Sequence, residues 1–285
     1  MLYTYDQAVL KIKPLLEPVT YVQKINSVIN CFEYSEKQEL DRKMEVTIHP
    51  LDHQFFKITI KTTMHQVILN SVLKKQENFN REISGVLNTM EFKINQQGEL
   101  LQILNHSEII AKWNILKSKL KTHYVGQASE RYLIGIERKI RDHHKLLLDC
   151  KQYRLYKSLL NDVYGTIYTN DEKDAKGRLY ILQNACYQLP LIIQEKIIFQ
   201  QENDQHIVFG IRGNLIEQQP YTTKINNLFQ RKNIKSIQGI TLDAYEGTST
   251  YAKEAGLLKN MQLKVCTSYG RDYSKEQYYT CTKQL

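Results

Sequence analysis

Glycine and proline are scarce, 12 and 5 among 285 residues, and no segment is compositionally monotonous. That excludes long flexible linkers and low-complexity tails, so the whole chain is expected to fold. No window of about 18 apolar residues occurs, which excludes a membrane-spanning helix. The start, MLYTYDQAVLKIKPLLEPV, lacks an uninterrupted apolar region behind a basic segment, so export through a signal peptide is not expected. Five cysteines, an odd number, include no CxxC pair and fit neither a disulfide framework nor a zinc ribbon. Reduced cysteines and a cytoplasmic location follow as the expectation. Cys266 and Cys281 could face each other across a terminal hairpin, which would matter only in an exported protein. Also missing are HExxH, GxSxG, P-loop and Rossmann fingerprints. The stretch GIRGN, Gly210 to Asn214, reads as a strand-end turn without the helix that a phosphate loop needs.

What is present is a globular composition, 42% hydrophobic and 24% charged, with 19 tyrosines. Tyrosine favours half-buried strands and recognition surfaces, because it joins apolar area to a polar tip. The net charge of +9 is localised: residues 112–157 hold twelve Lys/Arg against four Asp/Glu, which is +8. In SERYLIGIERKIRDHHKLLLDCKQY, Leu133, Ile136, Ile140 and Leu147 recur at helical spacing. Arg131, Arg138, Arg141 and Lys145 then fall on roughly the opposite face, as a cationic outer stripe. Such a stripe is either a solvated face or a contact for an acidic protein, a nucleic acid or an anionic membrane surface. Nucleic acid is the lesser partner, since no helix-turn-helix, zinc finger, RRM or KH signature accompanies the charge.

The flanks read as β. VTYVQKINSVINCFEYS alternates imperfectly, while KMEVTIHP and QFFKITIKTT alternate clearly around LDH, as an antiparallel pair does. GVLNTMEFKI and ELLQIL add strands around NQQG, where Gly98 can take the positive φ of a tight hairpin. After Asn105 the pattern turns helical, with Ser107 as N-cap and Ile109, Ile110, Trp113, Leu116 and Leu120 on one period. Two more helices carry to about Leu160, with Gly126 as the break between the first two. From Tyr164 strands return, interrupted by a short helix near TTKINNLFQRKN. Phe92, Gly98 and Leu100 are echoed by Tyr251, Gly256 and Leu257. This is either a degenerate duplication of an antiparallel half or the common chemistry of glycine turns.

FKINQQGELLQILNHSEIIAKW, a strand, a glycine turn, a second strand and a tryptophan helix, resembles a pattern in uncharacterised proteins of Bacteroidetes bacteria, and GTSTYAKEAGLLKNM is similar to their closing hairpin. The resemblance implies a large curved antiparallel sheet and carries over no catalytic residue. Many of those proteins are envelope lipoproteins, and this chain departs from them in lacking a lipoprotein signal. A fainter similarity is to small cytoplasmic adaptors and immunity proteins that accompany secreted toxins.

Few constellations could carry chemistry. Asp142, His143 and His144 spell a DHH that binds manganese in a phosphoesterase family, but here it lies in a helix, where neighbouring side chains diverge by about 100°. His49, Asp52 and His53 flank a turn without a third metal-ligand element. Cys150 is two helical turns from His143, too far for an activated thiolate. Glu45, Glu91, Glu195 and Glu217 occupy strands, with nothing to pair any two across a cleft.

The expected fold is α+β: two mainly antiparallel sheet regions, residues 1–106 and 164–285, joined by central basic helices over 107–163, either as separate units or as one continuous domain. The expected function is a non-enzymatic cytoplasmic protein-binding module of adaptor, chaperone or immunity type, using a curved sheet and a cationic helix (Arg131, Arg138, Arg141, Lys145) on an acidic partner. The alternative is a hydrolase or nuclease with a dispersed site acting on an anionic substrate. Neither catalytic residue, metal nor cofactor is assigned.

Overall fold

The computed structural model describes residues 7–69, 74–160, 163–165, 167–169, 175, 177–187, 189–216, 219–236 and 239–284. A first meander consists of β2 (Leu15–Cys31), β3 (Tyr34–Pro50), β4 (Phe55–Ile68), β5 (Thr89–Asn95) and β6 (Leu100–Ile103), with α1 (Lys74–Val86) between β4 and β5. Four helices follow: α2 (His106–His123), α3 (Gln127–Arg141), α4 (His143–Gln152) and α5 (Arg154–Leu160). A second meander consists of β8 (Gly177–Cys186), β9 (Leu189–Glu202), β10 (His206–Leu215), β11 (Ile240–Ala252), β12 (Leu257–Tyr269) and β13 (Tyr273–Lys283), with α6 (Thr222–Arg231) after β10. The short strands β1 (Gln7–Val9) and β7 (Ile167–Thr169) pair with each other.

The two meanders are not two sheets. They form one antiparallel sheet of eleven strands, ordered β6-β5-β4-β3-β2-β13-β12-β11-β10-β9-β8. The expectation of two sheet regions joined by helices is therefore corrected. The join is the β2–β13 ladder, in register from Cys31 opposite Tyr273 to Tyr21 opposite Lys283. Alternation of apolar residues assigns each strand a face, but it does not say which strand lies alongside. The two echoing hairpins sit differently in this sheet: β5–β6 lies at its edge, whereas β11–β12 is internal.

Local chemistry explains several element ends. Asn95 Oδ1 accepts from the amides of Gln97 and Glu99, and Gly98 closes that turn at φ +74°. A Cβ at Gly98 would also stand 2.9 Å from the Tyr164 ring, so the position excludes a side chain twice over. Ser107 is not the N-cap of α2. Asn105 holds that place, and its side chain instead ties β5 by accepting from Glu91 N and donating to Thr89 O. The helix expected to run through residues 130–150 breaks at Asp142, whose extended backbone and carboxylate cap α4 through Lys145 N at 3.0 Å. Gly85 and Val86, expected in a strand, close α1. That helix was legible in Phe79, Ile83 and Val86, which recur at helical spacing and meet the core.

One face of the sheet covers the helices. Trp113 and Ile109 of α2 are fully buried against it, and every residue of α5 is buried. The helix α4 touches both edge strands, β6 and β8, so the sheet curls until about 15 Å of helix spans its two edges. Its side chains engage the edge backbones. His143 Nε2 lies 3.3 Å from both the amide and the carbonyl of Ile103 on β6, and Gln152 Oε1 accepts from Ile181 N on β8 at 3.2 Å. Sheet edges left bare invite pairing with other chains, and α4 covers these two.

Candidate functional site

Two groups of charged side chains compete as the site, one inside the sheet and one outside. The inner one begins from strand register. Arg178 on β8 stands opposite Glu195 on β9, and Glu195 opposite Gly213 on β10; the ring of Tyr245 on β11 lies against Gly213, 2.6 Å from where a Cβ there would stand. Because successive residues alternate faces, all four belong to one rung on the helix-covered face. From α5 above, Arg154 descends onto the rung.

Glu195 is fully buried. Its Oε1 accepts from Arg178 Nη2 at 2.7 Å and Nε at 2.9 Å, and its Oε2 accepts from Arg154 Nη1 at 3.2 Å. The Tyr245 hydroxyl also donates to Oε2 and accepts from Arg154 Nη2. Arg154 lies 4.1 Å from the centre of the Tyr180 ring, and Lys157 Nζ lies 5.1 Å from the same ring. Burial alone would push the Glu195 carboxyl up, but Arg178, Arg154 and Lys157 outweigh it and hold the group far below the usual carboxylate range. With four donors on roughly four lone-pair sites, Glu195 has no capacity left for a substrate proton. The cluster is a charged clamp that fixes α5 to the sheet.

This changes the reading of the basic segment. Arg154 and Lys157 are buried, so they add nothing to a surface stripe. Lys117 and Arg141 both bind Glu137, at 2.5 and 2.9 Å, holding its carboxyl below its usual range. Lys119 pairs with Glu82, Lys139 with Asp149 and Lys151 with Glu99. Of the four expected partner-binding residues, Arg131 and Arg138 lie exposed on α3, and Lys145 lies exposed on α4, beyond the break. None of these three has a side-chain ion pair with a described residue. Arg141 does, and it also reaches Asn114 Oδ1 at 2.9 Å. Exposed Tyr132 and Ile134 sit among them on α3.

The remaining candidates resolve structurally. His143 faces His106, ring centres 5.0 Å apart, at the β6 edge rather than at a metal. No group of three His, Cys, Asp or Glu side chains that could hold a metal exists among the described residues. Asp52 accepts from Gln54 N and Phe55 N, which makes it a turn residue. Burial pushes the Cys150 thiol up to about 12. GIRGN is not a turn but the interior of β10, and Glu217 lies outside the described residues. Glu45 and Glu91 lie in β3 and β5, where they pair with Lys61 and Lys57. Cys266 opposes Glu276 and Cys281 opposes Met261, so those cysteines do not meet across the hairpin.

No protein-family model matches the chain, and no curated protein matches it. Among solved structures, lipovitellin, studied for lipid–protein interactions, is similar at a TM-score of 0.43 and 9% identity, over 94% of this chain and 25% of its own. This chain thus spans a quarter of lipovitellin's length. DynF, of the dynemicin biosynthesis pathway of Micromonospora chersina, is similar at a TM-score of 0.22 and 4% identity, over 100% of this chain and 88% of its own. Both likenesses are too low to bear on function. No helix among the described residues is long and apolar enough to cross a membrane.

Proposed function

We propose that the protein is a non-enzymatic binding module whose α3–α4 surface receives an acidic protein partner. The observation that carries this is the division of the central cations. Seven of the twelve are paired with carboxylates or buried in the clamp; of the other five, Arg131, Arg138 and Lys145 stand exposed on the α3–α4 surface that also carries exposed Tyr132 and Ile134. Arginine and an aromatic around an aliphatic residue is the composition of interface centres. The helix-covered face of the sheet is filled by α5 and the core, so it is not open to a partner. All five cysteines are free and three are buried, which supports a reducing, cytoplasmic setting.

The test is a Glu-rich peptide, a single-stranded oligonucleotide and phosphatidylserine vesicles, each titrated against the protein and against Arg131→Glu/Arg138→Glu/Lys145→Glu. The reading expects the peptide to bind and the triple reversal to weaken it by about tenfold or more, with the fold retained by circular dichroism. Tighter binding of the oligonucleotide than of the peptide would overturn it.

A further inference from the structure

Resting on that reading, we propose that the partner presents an acidic amphipathic α-helix, which lies along the outer face of α3 over Gly135, with carboxylates meeting Arg131 and Arg138. The inward face of α3 is spoken for: Leu133 and Ile140 are buried, and Ile136 packs against the core. At about 100° per residue, Arg131, Gly135 and Arg138 share a stripe on the outward face, with Ile134 at its side. The two guanidinium groups are seven residues apart, about 10 Å along the axis. That is the repeat at which a second helix presents side chains of one kind.

Gly135 is the independent observation. It lies in the middle of a fifteen-residue helix, where glycine costs stability relative to alanine. A Cβ placed there meets nothing within 4 Å, so neither packing nor a tight turn within the chain accounts for it. Gly213, by contrast, is required by the Tyr245 ring, 2.6 Å from where its Cβ would be. A bare backbone on an exposed helix lets another helix approach closely. Ile134, 45% exposed, then supplies apolar contact beside the gap. The charge complement selects an acidic helix, because the stripe carries two arginines and no carboxylate.

The experiment uses the full chain and a labelled three-heptad peptide with Glu at seven-residue spacing and Leu between, beside a scrambled peptide of identical composition. Fluorescence anisotropy should show the scramble binding about tenfold more weakly. Gly135→Ala should raise the urea midpoint yet weaken peptide binding, and Gly135→Gln should weaken it further while the circular dichroism stays unchanged. Equal binding of the scramble, or binding indifferent to Gly135→Gln, overturns the helical partner. If the helical peptide fails while the Glu-rich peptide still binds and is lost in the triple reversal, the helical partner falls and the binding-module reading stands. If neither acidic peptide binds, both fall.

Discussion

The hydroxyl of Tyr245 on β11 reaches the carboxylate of Glu195 on β9 although a whole strand, β10, runs between them. The ring crosses over Gly213, the position on β10 opposite Glu195 that has no side chain. A register of four strands and one missing Cβ thus assemble a buried ionic cluster that no local motif announces.

Gly213→Ala places a methyl 2.6 Å from Tyr245 Cδ1 and 3.0 Å from Cγ. The ring must swing away and leave Glu195, a loss of about 2–4 kcal/mol from overpacking and a broken charged hydrogen bond. Urea denaturation reads this directly. A variant as stable as the parent would show that the ring does not need the gap.

Glu195→Leu strands the Arg154 charge in the interior and should cost about 3–5 kcal/mol, while Arg154→Met/Glu195→Leu should recover much of that loss. The carboxyl is depressed in the folded state, so the unfolded chain binds its proton first on acidification. Its contribution is therefore complete above the ordinary carboxylate range and drains as the pH falls below it. Acid unfolding of Glu195→Leu should lack that part of the curve.

Lys275 on β13 is buried and donates to the carbonyl of Asn184, and burial lowers its pKa to about 8 against the opposing pull of Cys186 and Glu36. Between pH 8 and the ordinary lysine value of 10.5 the unfolded chain holds the proton more tightly, so this group makes stability rise with pH across that window. Lys275→Met should flatten the rise. The difference between the two stability–pH curves isolates it from the tyrosines that titrate nearby, and identical slopes would refute the assignment.

Gln152→Ala uncovers the amide of Ile181 on the β8 edge. Hydrogen exchange at that amide should quicken by about tenfold, the equivalent of one lost hydrogen bond. The effect should stay local, leaving amides of β12 unchanged.

The β3–β4 hairpin, the turn at Gly98, the switch to helix after Asn105 and the burial of Trp113 were legible, because each is written in adjacent residues. The β2–β13 ladder was not, since pairing partners so far apart in sequence leave no local trace. The clamp was hidden for two further reasons. Arg154 lies on a helix buried all round, which has no periodicity to read. Glu195 was named as an isolated strand carboxylate, yet its place in LIIQEKIIF, a lone acid in an apolar run, was the available signal that it must be paired. The cationic stripe was half legible: composition located the charge, but only contacts separate Arg131 and Arg138 from Arg141.

The hydrogen bond from Gln277 to Ser27 joins residues 250 positions apart on β13 and β2. During synthesis β2 therefore waits, one edge bare, for tens of seconds at about 5–20 residues per second before its partner leaves the ribosome. The two halves of this sheet are made at separate times and meet at the β2–β13 ladder, so the bare edge of β2 must be kept from pairing elsewhere until β13 has emerged.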